Sequence, residues 1–445
     1  MFPDATHRPF PPGADAPAVV LACLGAPEGD LNAVRSLGAQ GIRVIVVAEY
    51  EQPPSRHSRH CAQFLHVPDF SRHPQRLAKA LLGIASECGT APVVFPTADP
   101  DLQALLEVMP QLGERIRPAL ADAALVARLV DKARFDRLAL EHALPVPRTL
   151  LIERMAQIED IVAGAIDFPL IVKPAQPVAW QHPDVEPAVA RAKAIVVETP
   201  QRLREIARML APHGFHIIAQ EYVPGGDAEH FTVDVYIGPD GAVRASSCGR
   251  KLRHDPPHVG SGSYCENLRL PELETLAAEV LTRIGYRGVA NLDFKRHELT
   301  GEYKLLEINP RLSQWHILTT RCGLNLPAMA WRDACGLPAA GLPPRRTGLR
   351  YINEKNDFRA SRQYVREGEL SWARYLGSLL RPGTVRQLAP VDDLGPALRL
   401  TGAWFATKLG RLMRLGGTRR GRPAPTLPPV SAIFEEAEDP LFKGR

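Results

Sequence analysis

The sequence predicts a mixed fold: an α/β domain first, α+β sheets in the middle and a helical carboxy-terminal extension. Three observations support it. Residues 18–48 contain an apolar run, a short helical segment and a second apolar run, which is the usual start of a parallel α/β sheet. Residues 289–311 contain two alternating runs around a turn, as in an antiparallel hairpin. Residues 398–415 have helical periodicity.

Length and composition are those of a folded protein with several domains. The chain has 445 residues, 45% of them hydrophobic and 23% charged, so it has enough apolar material for buried cores. At about 100–200 residues per domain, this length predicts two to four domains. A net charge of +5 is too small to indicate a protein that binds nucleic acid by neutralising its phosphates.

Cysteine spacing and hydropathy favour a cytoplasmic protein. The seven cysteines lie far apart and include no CxxC pair, so they predict neither a disulfide framework nor a thiolate zinc site. No run of about 18 residues is apolar without charge. The proline-rich start also lacks a continuous apolar segment. We therefore expect neither secretion nor a membrane span, and we expect cytosolic substrates.

The first domain is predicted to alternate strands with helices. Its strands are the apolar runs 18–24, 42–48 and 92–95, and its helices are 32–40 and a segment from Leu102. This order favours a parallel sheet with loops at the strand ends. The loop after the first strand, LGAPEGD, lacks the GxGxxG pattern, so its glycines indicate tight turns more than a dinucleotide site.

A second domain is predicted to follow a helix at residues 121–142, where ALPVPRT forms an extended exit. Its strands are predicted at 169–172, 194–198, 216–222 and 231–237, with a return strand after a ProAspGly turn and a helix at 200–210. Residues 250–264 are rich in Gly, Pro and His and are predicted to form a loop. The mixture indicates α+β sheets and not a helical bundle.

The predicted hairpin VANLDFKRHELTGEYKLLEINPR contains the clearest candidate site. If its turn is centred on Thr300 without a bulge, Asp293 lies opposite Glu307. Side chains two residues apart share a face, so Asn291 and Asn309 join them on one side of the sheet. These side chains offer hard oxygen ligands, which suit Mg²⁺ together with substrate phosphates. The alternative is an ordinary solvated strand face, but an acid in the apolar run LLEIN needs a partner or an ion.

Other charged and polar residues precede this hairpin in the chain. Lys132 lies on the predicted helix, and Lys173 ends the apolar strand FPLIVK, where its charge needs a negative partner such as a phosphate. Alternatively, each lysine extends from its element into water. The run QEYVPGG ends a strand at a candidate hinge, where Gln220, Glu221 and the backbone of Val223 could contact a base.

The predicted loop from Gly249 also carries candidate anion-binding residues. Its five basic or imidazole side chains precede a GSGS segment. Arg250 and Lys251 are the best candidates, because a guanidinium can bind a carboxylate or phosphate through two hydrogen bonds. The alternative is a flexible surface loop with incidental charge.

Taken in order, these motifs resemble the ATP-grasp superfamily. The resemblance rests on Lys132, the IVKP run at Lys173, the QEYV run at Gln220, Asp293 and the EINPR run at Glu307. It covers residues 125–338, and the preceding βαβ segment resembles the domain that usually precedes this fold. The most similar branch is that of the carboxylate-amine ligases.

The resemblance implies a domain order. Residues 1–17 would be a flexible lead, 18–124 a Rossmann-like pre-ATP-grasp domain, 125–338 a two-lobed ATP-grasp domain, 339–416 a helical extension and 417–445 a disordered tail.

The resemblance also implies a role for each site residue. Two lysines, Lys132 and Lys173, would hold the phosphates of ATP, and Gln220, Glu221 and the backbone of Val223 would border the adenine.

Glu229 would contact the ribose hydroxyls, with Asp227 as the alternative. Two Mg²⁺ ions, or Mn²⁺ in their place, would be held by Asp293, Glu307 and Asn309. Arg311 would bind the transferred phosphoryl group or the anionic substrate.

The implied reaction joins a carboxylate to an amine. A carboxylate oxygen attacks the γ-phosphate of ATP, and an amine then displaces phosphate from the acyl phosphate. Two alternatives remain: an ATP-grasp enzyme that carboxylates or phosphorylates, and a catalytically silent ATP-binding module. The sequence identifies neither substrate and leaves the oligomeric state open.

The carboxy-terminal region departs from this pattern. Residues 395–422 contain no acidic residue, and residues 398–415 form a basic amphipathic pattern. This helix is expected to pack on its own protein, with an anionic membrane or a partner protein as the alternatives.

Overall fold

The computed structural model describes residues 16–24, 29–174, 180, 182, 184–190, 194–213, 217–339 and 341–399. Its first part is a parallel sheet of five strands in the order β3-β2-β1-β4-β5. The strands are β1 (Ala18–Ala22), β2 (Val44–Ala48), β3 (Cys61–His66), β4 (Val93–Phe95) and β5 (Arg117–Pro118). The helices are α1 (Gly29–Gly38), α2 (Pro74–Cys88) and α3 (Asp99–Leu112). The strands β1, β2 and β4 are buried throughout, because helices cover both faces of a parallel sheet.

A second, antiparallel sheet of four strands has the order β6-β9-β7-β8. Its strands are β6 (Thr149–Ile152), β7 (Leu170–Pro174), β8 (Ile195–Val197) and β9 (Ile217–Glu221). The helices of this region are α4 (Ala123–Val130), α5 (Lys132–Glu141), α6 (Ala156–Asp160), α7 (Pro187–Ala190) and α8 (Pro200–Leu210). The single helix predicted at 121–142 is therefore wrong, because Asp131 has an extended backbone and caps α5 by accepting a hydrogen bond from the Arg134 amide at 3.0 Å.

The third sheet has seven strands in the order β14-β13-β10-β11-β12-β15-β16. They are β10 (His230–Ile237), β11 (Val243–Asp255), β12 (Ser261–Leu268), β13 (Gly288–Arg296), β14 (Tyr303–Asn309), β15 (Arg350–Ile352) and β16 (Thr384–Arg386). The associated helices are α9 (Pro271–Arg283), α10 (Ile317–Arg321), α11 (Leu326–Ala334), α12 (Glu354–Arg366) and α13 (Trp372–Leu379).

The structure corrects two predictions about this sheet. The predicted loop at residues 250–264 is a hairpin of two long strands, and only residues 256–260 connect β11 with β12. The carboxy-terminal extension is helical only in part, because β15 and β16 add two strands to the edge of the sheet.

The chain after β16 packs against the first sheet. Gln387 accepts a hydrogen bond from Asn32 of α1 at 2.7 Å, and both side chains are fully buried. Asp393 accepts a hydrogen bond from Nε of Arg35 at 2.8 Å, with side-chain exposures of 2% and 3%. This segment therefore joins the end of the seven-stranded sheet to helix α1 beside the first sheet.

Several expectations lie partly or wholly outside the described ranges. These are the lead segment before residue 16, most of the basic helix at 398–415 and the tail at 417–445. The domain boundaries stay predictions. None of the helices in the described ranges combines the length and apolar character needed to cross a bilayer.

Candidate functional site

The candidate site lies on one face of the seven-stranded sheet. Strands β13 and β14 pair so that Asp293 faces Glu307 and Asn291 faces Asn309. The predicted register is therefore confirmed at these positions. Because alternate residues of a strand share a face, all four side chains lie on the same side, which we call the polar face.

The hairpin contains a bulge that the prediction excluded. Phe294 pairs with Leu305, not with Leu306, so the register shifts by one residue next to Asp293. The extra residue on β14 allows Phe294 and Leu305 to share the core while Asp293 and Glu307 share the polar face. The assumption of an unbroken ladder from Thr300 is wrong, although the acidic pair was placed correctly.

Lys251 of β11 supplies a cation on the polar face. Its Nζ donates a hydrogen bond to Oδ2 of Asp293 at 2.8 Å, and the two side chains are 9% and 16% exposed. Burial opposes the charged form of both groups, but the charge and hydrogen bond of the partner hold the pKa of Asp293 below its usual range and raise that of Lys251. Both groups are therefore charged at neutral pH.

Glu307 differs from Asp293 in its surroundings. It keeps access to solvent and accepts a hydrogen bond from Nδ2 of Asn309 at 3.0 Å. The protein atoms around its carboxyl group nevertheless desolvate it in part, and this desolvation, followed by the nearby charge of Asp293, raises the pKa of Glu307. Two carboxyl groups this close together favour binding of a cation.

The residues present fit a divalent cation. Within the described ranges, Oδ1 of Asp293 is buried and has no hydrogen-bond partner, so one oxygen is open to a further ligand. Glu307 is open to solvent on the same face, and Asn309 lies beside it. Carboxylate and amide oxygens are the ligands that Mg²⁺ prefers.

Lys132 and Lys173 lie near each other and near this acidic pair. Burial, followed by the charge of Lys132, lowers the pKa of Lys173. The carboxylates of Asp136 and Glu307 act on Lys173 in the opposite direction. The lysine at the end of β7 therefore lies within electrostatic range of the polar face, as the predicted site requires. Asp136 was missed, although its position four residues after Lys132 on one helix places the two on one side.

One of the residues predicted to contact the adenine lies next to Lys173. Nζ of Lys173 donates a hydrogen bond to Oε1 of Gln220 at 3.2 Å. Glu221 ends β9, and its carboxylate accepts a hydrogen bond from the backbone amide of Arg148 at 2.9 Å. Val223 is buried just beyond the strand. The residues after Glu221 connect β9 of the four-stranded sheet with β10 of the seven-stranded sheet, and the hinge there stays a prediction.

Asp227 and Glu229 have separate partners. Glu229 accepts a hydrogen bond from Nε of Arg296 at 2.7 Å. Asp227 accepts hydrogen bonds from the hydroxyl of Tyr364 and from Nδ1 of His258, the latter at 3.3 Å. Both carboxylates are engaged, so the choice between them for the ribose contact stays open.

Arg250 does not join the site. It pairs with Phe231, which also pairs with Phe294, and both phenylalanines belong to the apolar core on the opposite face. Its Nε donates a hydrogen bond to Glu266 at 2.9 Å. The structure therefore separates Arg250 from Lys251, because neighbouring residues of a strand point to opposite faces.

Arg311 is held by a residue that the sequence analysis missed. Its Nε donates a hydrogen bond to Oδ1 of Asp99 at 2.6 Å, and its Nη2 donates to Oδ1 of Asn309 at 3.3 Å. Asp99 opens α3 in the first domain. Asp99 follows the end of strand β4 in the run FPTADPD. This position could have indicated a site residue, because loops at the ends of parallel strands often carry functional residues.

Comparison with known proteins gives matches across the region of these residues. The model of the family described as "ATP-grasp in the biosynthetic pathway with Ter operon" matches residues 216–356. A D-aspartate ligase of Enterococcus faecium is 30% identical over 236 residues, which are 50% of this chain and 54% of that protein. The amino-terminal section of the carbamoyl phosphate synthase large chain of Methanopyrus kandleri is 24% identical over 51% of this chain and 39% of its own length. The chain thus spans about half the length of these relatives, or less.

A solved structure shares the fold across most of the chain. It is the biotin carboxylase domain of the Hydrogenobacter thermophilus 2-oxoglutarate carboxylase, in complex with MgADP, ADP and bicarbonate. The TM-score is 0.54 and the identity 14%, over 74% of this chain and 73% of that one. At this identity the likeness establishes the fold alone.

Proposed function

We propose that this ATP-grasp protein, which resembles the carboxylate-amine ligases of its superfamily, joins a carboxylate to an amine at the expense of ATP. The products would be ADP, phosphate and an amide or peptide-like bond. The observation that carries the proposal is the pairing of Asp293 with Glu307 on the polar face, within electrostatic range of Lys173.

In this proposal the nucleotide lies between the four-stranded and seven-stranded sheets. Lys132 and Lys173 bind its phosphates, and the buried ammonium of Lys173 is stabilised by the negative charge that it gains. Gln220, Glu221 and the backbone of Val223 border the adenine. The ribose is bound by Glu229 or Asp227.

The metal ligands are Asp293, Glu307 and Asn309. They would hold Mg²⁺, as two ions, and their oxygen ligands would also accept Mn²⁺. The bound ion supplies positive charge to the transferring phosphoryl group.

The remaining residues would stabilise the negative charge on the phosphoryl group during its transfer. Arg311 and Lys251 would bind the phosphoryl group or the carboxylate substrate, and the hydrogen bonds of Arg311 to Asp99 and Asn309 support this role for its guanidinium. Closure of the two sheets over the nucleotide would exclude water from the acyl phosphate. Arg250 has no part in this step.

The substrates are proposed as small molecules. D-aspartate is the first candidate, because the relative from Enterococcus faecium is named as a D-aspartate ligase. A carboxylating or phosphorylating ATP-grasp enzyme would use the same nucleotide site with another acceptor. A silent module would bind ATP without turnover.

Release of ADP and phosphate tests the proposal. The purified protein is incubated with MgATP and pairs of acids and amines, including D-aspartate and bicarbonate, and products are identified by mass. We expect release that requires both an acid and an amine, and that falls at least about 100-fold in Asp293→Asn and Glu307→Gln. The matched control is Glu302→Gln, on the exposed turn of the same hairpin. Release with bicarbonate alone supports carboxylation, and ATP binding without release across the panel supports the silent module.

A further inference from the structure

We propose that Lys251 is the internal counter-ion of the metal site, and that its ammonium moves from Asp293 to a bound anion when the metal binds. This inference rests on the proposed function, since it takes Asp293 and Glu307 as metal ligands. It adds a second role to a residue that would otherwise only bind an anion.

The first observation is the asymmetry of the Asp293 carboxylate. Its Oδ2 accepts a hydrogen bond from Nζ of Lys251 at 2.8 Å, whereas its Oδ1 is buried without a partner within the described ranges. An ammonium ion therefore occupies one side of a carboxylate whose other side is prepared for a ligand. The lysine offsets a negative charge that is costly to bury alone.

The second observation is how the lysine is packed. Its methylene stem passes over Gly262 of β12, where an added Cβ would lie 3.2 Å from Cγ of Lys251 and 2.4 Å from Sγ of Cys265. The glycine leaves room for the stem, which fixes the lower part of the side chain. The terminal torsions then decide where the ammonium lies on the polar face.

The third observation is the charge around the ammonium. The charge of Glu307, like that of Asp293, stabilises the ammonium of Lys251. A metal ion held by both carboxylates would neutralise the two negative charges that stabilise this ammonium. The metal ion and the ammonium repel each other across Asp293. The displaced ammonium is on a side chain that is only 9% exposed, and it then needs another anion. The transferred phosphoryl group and the carboxylate substrate are the anions that the site would offer.

Metal binding and anion binding are therefore coupled. A metal ion that binds without an anion repels the ammonium of Lys251 across the shared carboxylate, whereas an anion that accepts the ammonium removes that penalty. Because coupling between two ligands is reciprocal, the metal also strengthens binding of the anion. If Lys251 instead only held Asp293 in place for the metal, substitution of the lysine would weaken metal binding.

Mn²⁺ binding without nucleotide separates these roles. Free Mn²⁺ is measured by electron paramagnetic resonance during titration of the full chain at fixed pH and ionic strength. We expect Lys251→Met and Lys251→Gln to bind Mn²⁺ about tenfold more tightly than the wild type, because the competing ammonium is gone. Equal or weaker binding by both variants would overturn the inference.

Two controls make the result specific. Lys295→Met removes a positive charge from the same face of β13, two residues from Asp293, and should tighten Mn²⁺ binding by no more than about twofold because it leaves the Lys251–Asp293 pair intact. Lys251→Arg keeps a competing cation and should bind Mn²⁺ no more tightly than the wild type. Tighter binding by Lys251→Arg would contradict the competition.

Asp293→Asn distinguishes failure of the inference from failure of the proposed function. If it weakens Mn²⁺ binding while Lys251→Met and Lys251→Gln bind no more tightly than the wild type, the metal ligands stand and the counter-ion role fails. If it leaves Mn²⁺ binding unchanged, the metal site and the inference fail together.

Discussion

Arg311 donates a hydrogen bond from Nε to Oδ1 of Asp99 at 2.6 Å, although 212 residues separate the two in the chain. Asp99 begins helix α3 beside the first sheet, whereas Arg311 follows strand β14, which carries Glu307. The proposed anion-binding arginine is thus oriented by a residue that follows a strand of the first sheet.

Removal of Asp99 should impair turnover more than nucleotide binding. Asp99→Ala leaves the guanidinium of Arg311 charged but less well oriented, so we expect kcat/KM for phosphate release to fall about tenfold. Arg311→Met removes the charge itself and should lower it by about 10²–10³. Steady-state kinetics and displacement of a fluorescent ATP analogue measure the two effects. Full turnover in Arg311→Met would contradict this role.

Substitution of Lys173 should affect nucleotide binding and stability in opposite ways. Burial and the charge of Lys132 disfavour its ammonium in the free protein, so Lys173→Met should melt at the same temperature or higher without ATP. It should also bind the fluorescent analogue about tenfold more weakly, because a phosphate contact is lost. The control is Lys304→Met, whose ammonium lies 3.4 Å from Glu302 near the turn. Equal affinity in Lys173→Met would remove this lysine from the site.

Asp101 should make stability depend on pH. Burial raises its pKa to about 7, against about 3.9 in an unfolded chain, so the folded protein retains a proton that the unfolded chain releases. This contribution is complete below about pH 4 and is lost as the pH rises through about 7. The free energies of unfolding of Asp101→Asn and the wild type are measured in urea from pH 5 to 8. As the pH rises, we expect the wild type to lose stability relative to the variant. A constant difference would mean that the carboxyl titrates normally.

The segment after β16 should be essential for stability. Asp393→Ala leaves the guanidinium of Arg35 buried without its carboxylate, and loss of one partner of a buried pair costs about 3–5 kcal/mol. Asp392→Ala is the matched control, because its pair with Arg321 is 39% exposed on the aspartate side and should contribute under about 1 kcal/mol. The two free energies of unfolding are compared by chemical denaturation. Equal losses would show that the segment does not stabilise the first domain.

Local sequence patterns predicted the parts of this protein that depend on periodicity. Alternation of apolar and polar residues placed Asp293 opposite Glu307, and the register confirms it. The resemblance to ATP-grasp ligases is confirmed by the family match and by the similarity to a D-aspartate ligase. The strands β1 and β2 were found because they are continuous apolar runs.

The errors have physical causes. Residues 250–264 have a loop-like composition, yet their backbone groups pair across β10, β11 and β12, and glycine, proline and histidine content does not report such pairing. The bulge beside Asp293 depends on packing of Phe294 against the core. The contact of Asp99 with Arg311 joins residues that are 212 positions apart in the chain, so no local pattern contains it.

Transfer of an oxygen atom from the acid to phosphate tests the central proposal most directly. The protein is incubated with MgATP, an amine and a carboxylate labelled with ¹⁸O, starting with D-aspartate and extended to the acids that support turnover, and the phosphate is analysed by mass. An acyl phosphate predicts one ¹⁸O atom in each phosphate released. Phosphate that carries oxygen from water alone would contradict the proposed ligase reaction.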